Sequence, residues 1–473
     1  MPRKILYVVL LCGLVLAGCS EEQPVAPTER VTGAAVSDRS EALAWSIVEK
    51  AGWPTEATEE DLATAGVTLA HGQHCPIHGF ERVQLTDDIA LYSMQIQVGE
   101  GPYDVMGLHR VVKERFPFWP IRAKKSVMFV HGSPGLFREI FLTGLYSTSV
   151  PSDHAMPIAL AEDGVDVWGV DLRWTLVPEE TQDFGFMADW NTDTDIADMR
   201  TALGAARLIR LITGNGWRKM HYLGYSYGGY IGYAYLNMET QMPRGHRHVR
   251  GFINVDYHFK TDCEDCRERA CVYADFYQLW LDSGVYADST GQWGRDLSRL
   301  ARSAPEDSSS FYPGMTNYQA ALAYGSSFEA EYGLLPGYHL TTGEFNDAGI
   351  PTSLVNVSDD FWLDFMELWS PWTPVRSMLE LLQVACDSED LPYDDHLGEI
   401  KVPVLYVGAG GGFGEYGLYT LSLLGSTDIT SQVFDEQSAP EERLHALGHV
   451  DLFAGEQAPG WSWALIRSWV ADH

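Results

Sequence analysis

The segment Lys219-Met220-His221-Tyr222-Leu223, running into Gly224-Tyr225-Ser226-Tyr227-Gly228-Gly229, constrains this chain more than any other. A short apolar strand enters a turn, and Tyr230-Ile231-Gly232-Tyr233-Ala234 continues it as a helix. The glycines flanking the serine permit a strained bend that pushes the hydroxyl outward. N–H groups at the start of the helix then point at any negative charge that develops beside it. The pattern G-x-S-x-G often arises by chance, and a glycine-rich turn with no chemistry is the plain alternative. Its place between a strand and a helix lifts it above that alternative. It also demands a sheet, because a strand-to-helix bend of this kind belongs to a layered α/β arrangement.

The rest of the chain supplies one. Residues 90–98 and 104–112 alternate apolar and polar side chains around Gly99-Glu100-Gly101-Pro102, a strand, turn, strand signal. Short apolar runs follow at 127–130, 165–170, 220–223, 252–255, 402–407 and 429–434. Between the second and third runs, Ile196, Met199, Leu203, Ala206 and Ile209 recur at helical spacing. Strands spaced by helices predict an α/β fold with a mostly parallel sheet covered on both faces. Over 259–398 the alternation stops, and Tyr273, Phe276, Tyr277, Trp280, Phe361, Trp362, Phe365, Trp369 and Trp372 appear. That stretch reads as a mostly helical cap over the carboxyl edge of a sheet built from 41–258 and 399–473. Most of its aromatic residues are expected to pack as core, and some to line an apolar pocket.

Two further segments place reactive groups at predicted strand ends. Residues 127–130 run into His131-Gly132-Ser133-Pro134-Gly135, a turn fixed by its glycines and proline. The N–H groups of Ser133 and Tyr227 are the pair expected to face a developing oxyanion, with His131 bracing the loop. Near the end of the chain comes Leu447-Gly448-His449-Val450-Asp451, followed by a helix over 461–470. His449 is the expected base for Ser226, since Gly448 lets the loop come close. His445 competes with it, and Asp451 is expected to tie the loop down.

Motifs in this order resemble the α/β-hydrolase superfamily, in particular its cap-bearing esterases, lipases, epoxide hydrolases and haloalkane dehalogenases, over roughly residues 100–473. Gly169-Val170-Asp171-Leu172-Arg173 is similar to the segment those enzymes carry after their next strand, where Asp171 and Arg173 would brace loops. The resemblance implies a serine hydrolase that needs no cofactor and acts on a small or lipid-like acyl compound. Ser226 would attack, His449 would shuttle the proton, and water would release an acyl-enzyme. Serine at the bend argues against dehalogenase and epoxide hydrolase chemistry, whose members use aspartate there.

The sequence departs from this pattern at the acid. Most relatives carry it after the strand equivalent to 402–407, but here that strand meets Gly408-Ala409-Gly410-Gly411-Gly412-Phe413-Gly414-Glu415. Asp256, after the strand at 252–255, is the favoured alternative, because pancreatic-type lipases and some haloalkane dehalogenases place their acid there. Glu415 is the second choice, and Asp428 lies at the wrong edge of the sheet. The 131–135 loop is also similar to that of proline iminopeptidases, so an aminopeptidase is a second reading. A surface binding protein on a catalytically dead scaffold is a third.

At the N-terminus, Arg3 and Lys4 before the apolar run 5–16 predict a secretory leader over 1–18. Leu16-Ala17-Gly18-Cys19 resembles a bacterial lipobox, which would make Cys19 the lipidated first residue of a cell-envelope protein. Ser20, in place of aspartate, points to the outer membrane or cell surface. Residues 19–40 read as a flexible tether and 41–70 as short helices. A net charge of −33 repels nucleic acid and anionic membrane. The expected partners are therefore the acyl substrate and, through lipid, the membrane. Cys75, Cys263, Cys266, Cys271 and Cys386 remain. In an oxidising compartment they are expected to form disulfides and leave one odd thiol. His71, His74, Cys75 and His78 have ligand-type side chains without the spacing of a standard zinc site, so no metal is expected.

Overall fold

The computed structural model describes residues 77–327, 335–436 and 440–473. The leader, Cys19, the tether, the helices expected over 41–70, and His71, His74 and Cys75 lie outside the described residues.

The strands are β1 (Ile77–Gln84), β2 (Ile89–Gln97), β3 (Val105–Phe116), β4 (Trp119–Pro120), β5 (Ser126–Val130), β6 (Asp166–Asp171), β7 (Met220–Tyr225), β8 (Val249–Val255), β9 (Ala287–Asp288), β10 (Gly343–Phe345), β11 (Pro351–Leu354), β12 (Thr373–Pro374), β13 (Val404–Ala409) and β14 (Ile429–Phe434). The main sheet runs β1-β2-β3-β6-β5-β7-β8-β13-β14, with β4 beside β3. Pairings from β1 to β6 are antiparallel, and those from β6 through β5, β7, β8 and β13 to β14 are parallel. β1 was not expected: half of its residues are polar, and a bulge between His78 and Glu81 breaks the alternation.

Parallel strands covered on both faces read as continuous apolar runs, and β5 is buried throughout. Its side chains still alternate. Val127 and Phe129 enter one core with α1 (Phe137–Phe141), α2 (Met156–Glu162) and residues of the C-terminal helix. Met128 and Val130 enter a second core with α3 (Thr192–Ile212) and α4 (Tyr227–Thr240). β7 divides the same way, Leu223 and Tyr225 against Met220 and Tyr222. At the amino end of the sheet, Asp166 is fully buried and accepts from Arg110 Nε at 2.8 Å, Arg110 Nη2 at 2.9 Å, and Arg210.

Between β8 and β13 the chain passes through α5 (Glu264–Asp282), α6 (Thr290–Ser303), α7 (Asn317–Ser326), α8 (Asp359–Glu367) and α9 (Val375–Cys386), with two small ribbons, β9 with β12 and β10 with β11. Phe361, Trp362, Phe365 and Trp369 are buried as core. α5 differs from expectation. It buries only Cys266, Ala270 and Ala274; Tyr273 and Tyr277 pack half-buried against the small core it shares with α9, and Phe276 faces solvent. Disulfides join Cys263 to Cys266 and Cys271 to Cys386, the second tying α5 to α9. The chain ends through α10 (Tyr416–Ser422), α11 (Pro440–Arg443), α12 (Asp451–Ala454) and α13 (Ser462–Asp472).

Candidate active site

Tyr225 and Val255 are register partners at the ends of neighbouring strands β7 and β8. The residue after each bends sharply: Ser226 has φ +54° and Asp256 φ +50°, in the left-handed region that side chains other than glycine seldom occupy. Each bend is held by the next strand, Ser226 N–H by the Val255 carbonyl at 3.0 Å and Asp256 N–H by the Val407 carbonyl at 2.7 Å. Close approach explains the glycines here. A side chain on Gly228 would start 2.2 Å from the Val130 carbonyl oxygen. From Met220 to Asn237 every residue is buried except Ser226, so the bend presents one hydroxyl from an otherwise inaccessible run.

The turn after β5 packs directly against that hydroxyl. A Cβ on Gly132 would lie 2.8 Å from Ser226 Cβ and 3.3 Å from its Oγ. Among the described residues, neither the Ser133 N–H nor the Tyr227 N–H donates to another protein group. His131 is buried, and burial lowers its pKa. Its Nε2 accepts the Leu172 N–H at 3.1 Å, so the ring is neutral with the proton on Nδ1, which donates to the Gly132 carbonyl at 2.8 Å. Asp171 and Arg173 brace neighbouring helices, where loops were expected: the first accepts the Phe137 N–H at the start of α1 at 2.8 Å, and the second donates to both oxygens of Asp198 within α3.

His449 comes to the same rim from the far end of the chain. Its Nδ1 donates to Asp256 Oδ2 at 2.6 Å. Its ring stacks on Tyr225, with centroids 4.6 Å apart, and Tyr338 and Phe413 flank it at 5.6 and 5.7 Å. Asp451 secures the loop by accepting from Gly448 N–H (2.8 Å), Thr341 Oγ1 (2.7 Å), Thr342 N–H (3.1 Å) and Asn356 Nδ2 (2.9 Å). His445 is exposed and its ring lies against Phe345.

Of the two candidate acids, Asp256 is the one that meets the imidazole. It is fully buried, and its oxygens also accept from Ala409 N–H at 2.9 Å, Gly414 N–H at 3.0 Å and Phe413 N–H at 3.1 Å. Glu415 instead binds Arg443 Nη1, at 2.7 and 2.6 Å. The glycine-rich loop after β13 thus has a role that the sequence reading missed: it cradles the carboxylate of the neighbouring strand. A Cβ on Gly412 would fall 1.9 Å from Asp256 Oδ2. The signal was present as glycine where an acid was expected. Behind the bend, Tyr227 Oη donates to the buried Asp195 at 2.5 Å, and burial raises the Asp195 carboxyl to about 7. Among the described residues no cluster of three or more His, Cys, Asp or Glu is placed to hold a metal ion.

No family model and no curated protein matches the sequence. Among solved structures, the chain is similar to a protein of Sulfolobus solfataricus assigned as a lipase, with TM-score 0.55 and 16% identity, covering 83% of this chain and 99% of that one. It is also similar to a soluble variant of the monoglyceride lipase of Saccharomyces cerevisiae, with TM-score 0.45 and 11% identity over 84% and 95% of the two chains. A thermophilic esterase of Thermogutta terrifontis gives TM-score 0.38 and 12% identity over 83% and 98%. At such identities the likeness is one of fold.

Proposed function

Starting from the α/β-hydrolase fold of this chain, we propose that it is a serine hydrolase of carboxylic esters or related acyl compounds, with Ser226 as nucleophile, His449 as general base and Asp256 as the acid that orients it. The observation that carries this reading is the 2.6 Å bond between Asp256 and His449, with the imidazole stacked on the residue that precedes the strained Ser226. A carboxylate only accepts, so the proton sits on Nδ1 and the Nε2 lone pair is free for the serine proton. Ser226 Oγ adds to the acyl carbon, and charge on the carbonyl oxygen falls to the Ser133 and Tyr227 N–H groups. Collapse of the adduct expels the alcohol, which takes the proton from His449. Water, deprotonated by the same imidazole, then releases the acid and restores Ser226. Tyr338 and Phe413 beside His449 give the site apolar walls suited to an acyl chain. The lipobox-like Leu16-Ala17-Gly18-Cys19 supports anchoring in the cell envelope, where membrane-borne acyl compounds are at hand.

Hydrolysis of nitrophenyl esters of graded chain length, beside peptidyl nitroanilides, tests the reading. Ester cleavage that disappears in Ser226→Ala is expected. Cleavage of nitroanilides alone would favour the aminopeptidase, and turnover of neither by folded protein would favour a binding protein.

A further inference from the structure

The segment 336–340 and the glycine loop that cradles Asp256 meet at one buried side chain. Arg443 is 1% exposed, although nothing in its local sequence marks it. Its Nη1 binds Glu415, its Nη2 donates to the Gly412 carbonyl at 2.6 Å, and its Nε donates to the Pro336 carbonyl at 2.9 Å. Two of these partners lead to the Asp256–His449 pair. Gly412 belongs to the turn whose Phe413 and Gly414 N–H groups hold Asp256. Pro336 opens the segment whose His339 carbonyl accepts the His449 N–H at 3.1 Å and whose His339 N–H donates to the Gly411 carbonyl at 2.9 Å. The His339 ring then reaches the Ala446 carbonyl, three residues before the base, at 2.9 Å.

A planar guanidinium can serve three acceptors in fixed directions at once, which an ammonium on a flexible stem cannot. We propose that Arg443 is a positioning residue that locks the glycine loop and that segment together, so that Asp256 and His449 keep their register. This rests on the serine hydrolase reading above. Arg443 touches neither substrate nor the reacting atoms. Its effect passes through the placement of Asp256, and small misplacements of a catalytic group cost rate rather than affinity.

The test is a double-mutant cycle on the full chain, reading kcat and KM on a nitrophenyl ester. Arg443→Lys is expected to lower kcat about 10- to 100-fold with KM nearly unchanged. In an Asp256→Asn background, where the acid is already disabled, the same substitution should lower kcat far less. Equal fold-losses in both backgrounds, or a rise in KM that matches the fall in kcat, would overturn the proposal. So would wild-type kcat in Arg443→Lys. If the lysine variant fails to fold, Glu415→Gln loosens the same fork from its other side and should show a smaller kcat loss at constant KM; a change confined to KM would contradict the proposal. Activity that survives Ser226→Ala would instead defeat the underlying reading, so the two failures are distinct.

Discussion

Two aspartates lie fully buried at opposite ends of the same sheet, and they are held there by different means. Asp166, at the amino end of β6, is held by the guanidinium groups of Arg110 and Arg210. Asp256, at the carboxyl end of β8, takes three backbone N–H groups and one imidazole. Fixed cations close the first site: its charge is cancelled within the brace, and it can only hold elements together. Backbone dipoles hold the second carboxylate in place without cancelling it. In the mechanism we propose, its charge stabilises the imidazolium that would form on His449 when Ser226 gives up its proton. A buried carboxylate therefore reads as chemistry when its partners are neutral and one of them can change charge.

The contrast is broken most sharply at Asp256. Asp256→Asn is expected to lower kcat/KM by about 10³- to 10⁴-fold on folded protein, because the amide cannot fix the productive tautomer of His449. The mirror experiment is Asp166→Asn. It should leave turnover per folded molecule intact but cost about 3–5 kcal/mol in chemical denaturation, since two buried guanidinium groups lose their counter-charge. A large kinetic effect at Asp166 with unchanged stability would erase the distinction.

Glu415→Gln sharpens it further. The side chain faces Arg443 rather than His449, so a kcat loss of under about tenfold is expected, against the far larger loss at Asp256. The smallest effect lies behind the bend. Asp195 is raised to about 7 by burial, despite the hydrogen bond from Tyr227. Its folded state holds a proton that the unfolded chain releases near the ordinary carboxylate range. Its contribution to stability is thus fully present below that range and is lost as pH rises towards 7. Asp195→Asn should flatten the fall in melting temperature over that window; an unchanged slope would show that Asp195 does not titrate there.

Much of this was legible in the sequence, for identifiable reasons. The bend at Ser226 announces itself because strand, glycines and helix are contiguous, and inner parallel strands such as β5 and β13 stand out because burial on both faces makes them largely apolar. Asp256 could be singled out as a partner for His449 because the usual site of the acid had become glycine. What escaped depends on contacts between distant segments. The cradle of Asp256 is made of backbone N–H groups, which carry no sequence signature beyond the glycines that let them approach. Arg443 and the segment around His339 reach the site through carbonyls, whose bonds are blind to side-chain identity. β1 escaped because an edge strand with a polar face and a bulge lacks periodicity. The exposure of Phe276 on α5 could not be read from its side chain, since single exposed apolar residues are ordinary on a protein surface.

The central claim is that the hydroxyl on the strained bend is activated by an imidazole held from the other end of the chain. Reaction of the intact protein with a fluorophosphonate, followed by mass spectrometric mapping of the adduct, tests it most directly. One adduct on Ser226 is expected, formed at a rate that collapses in His449→Ala. An adduct on another residue, or labelling of Ser226 that is indifferent to the loss of His449, would contradict it.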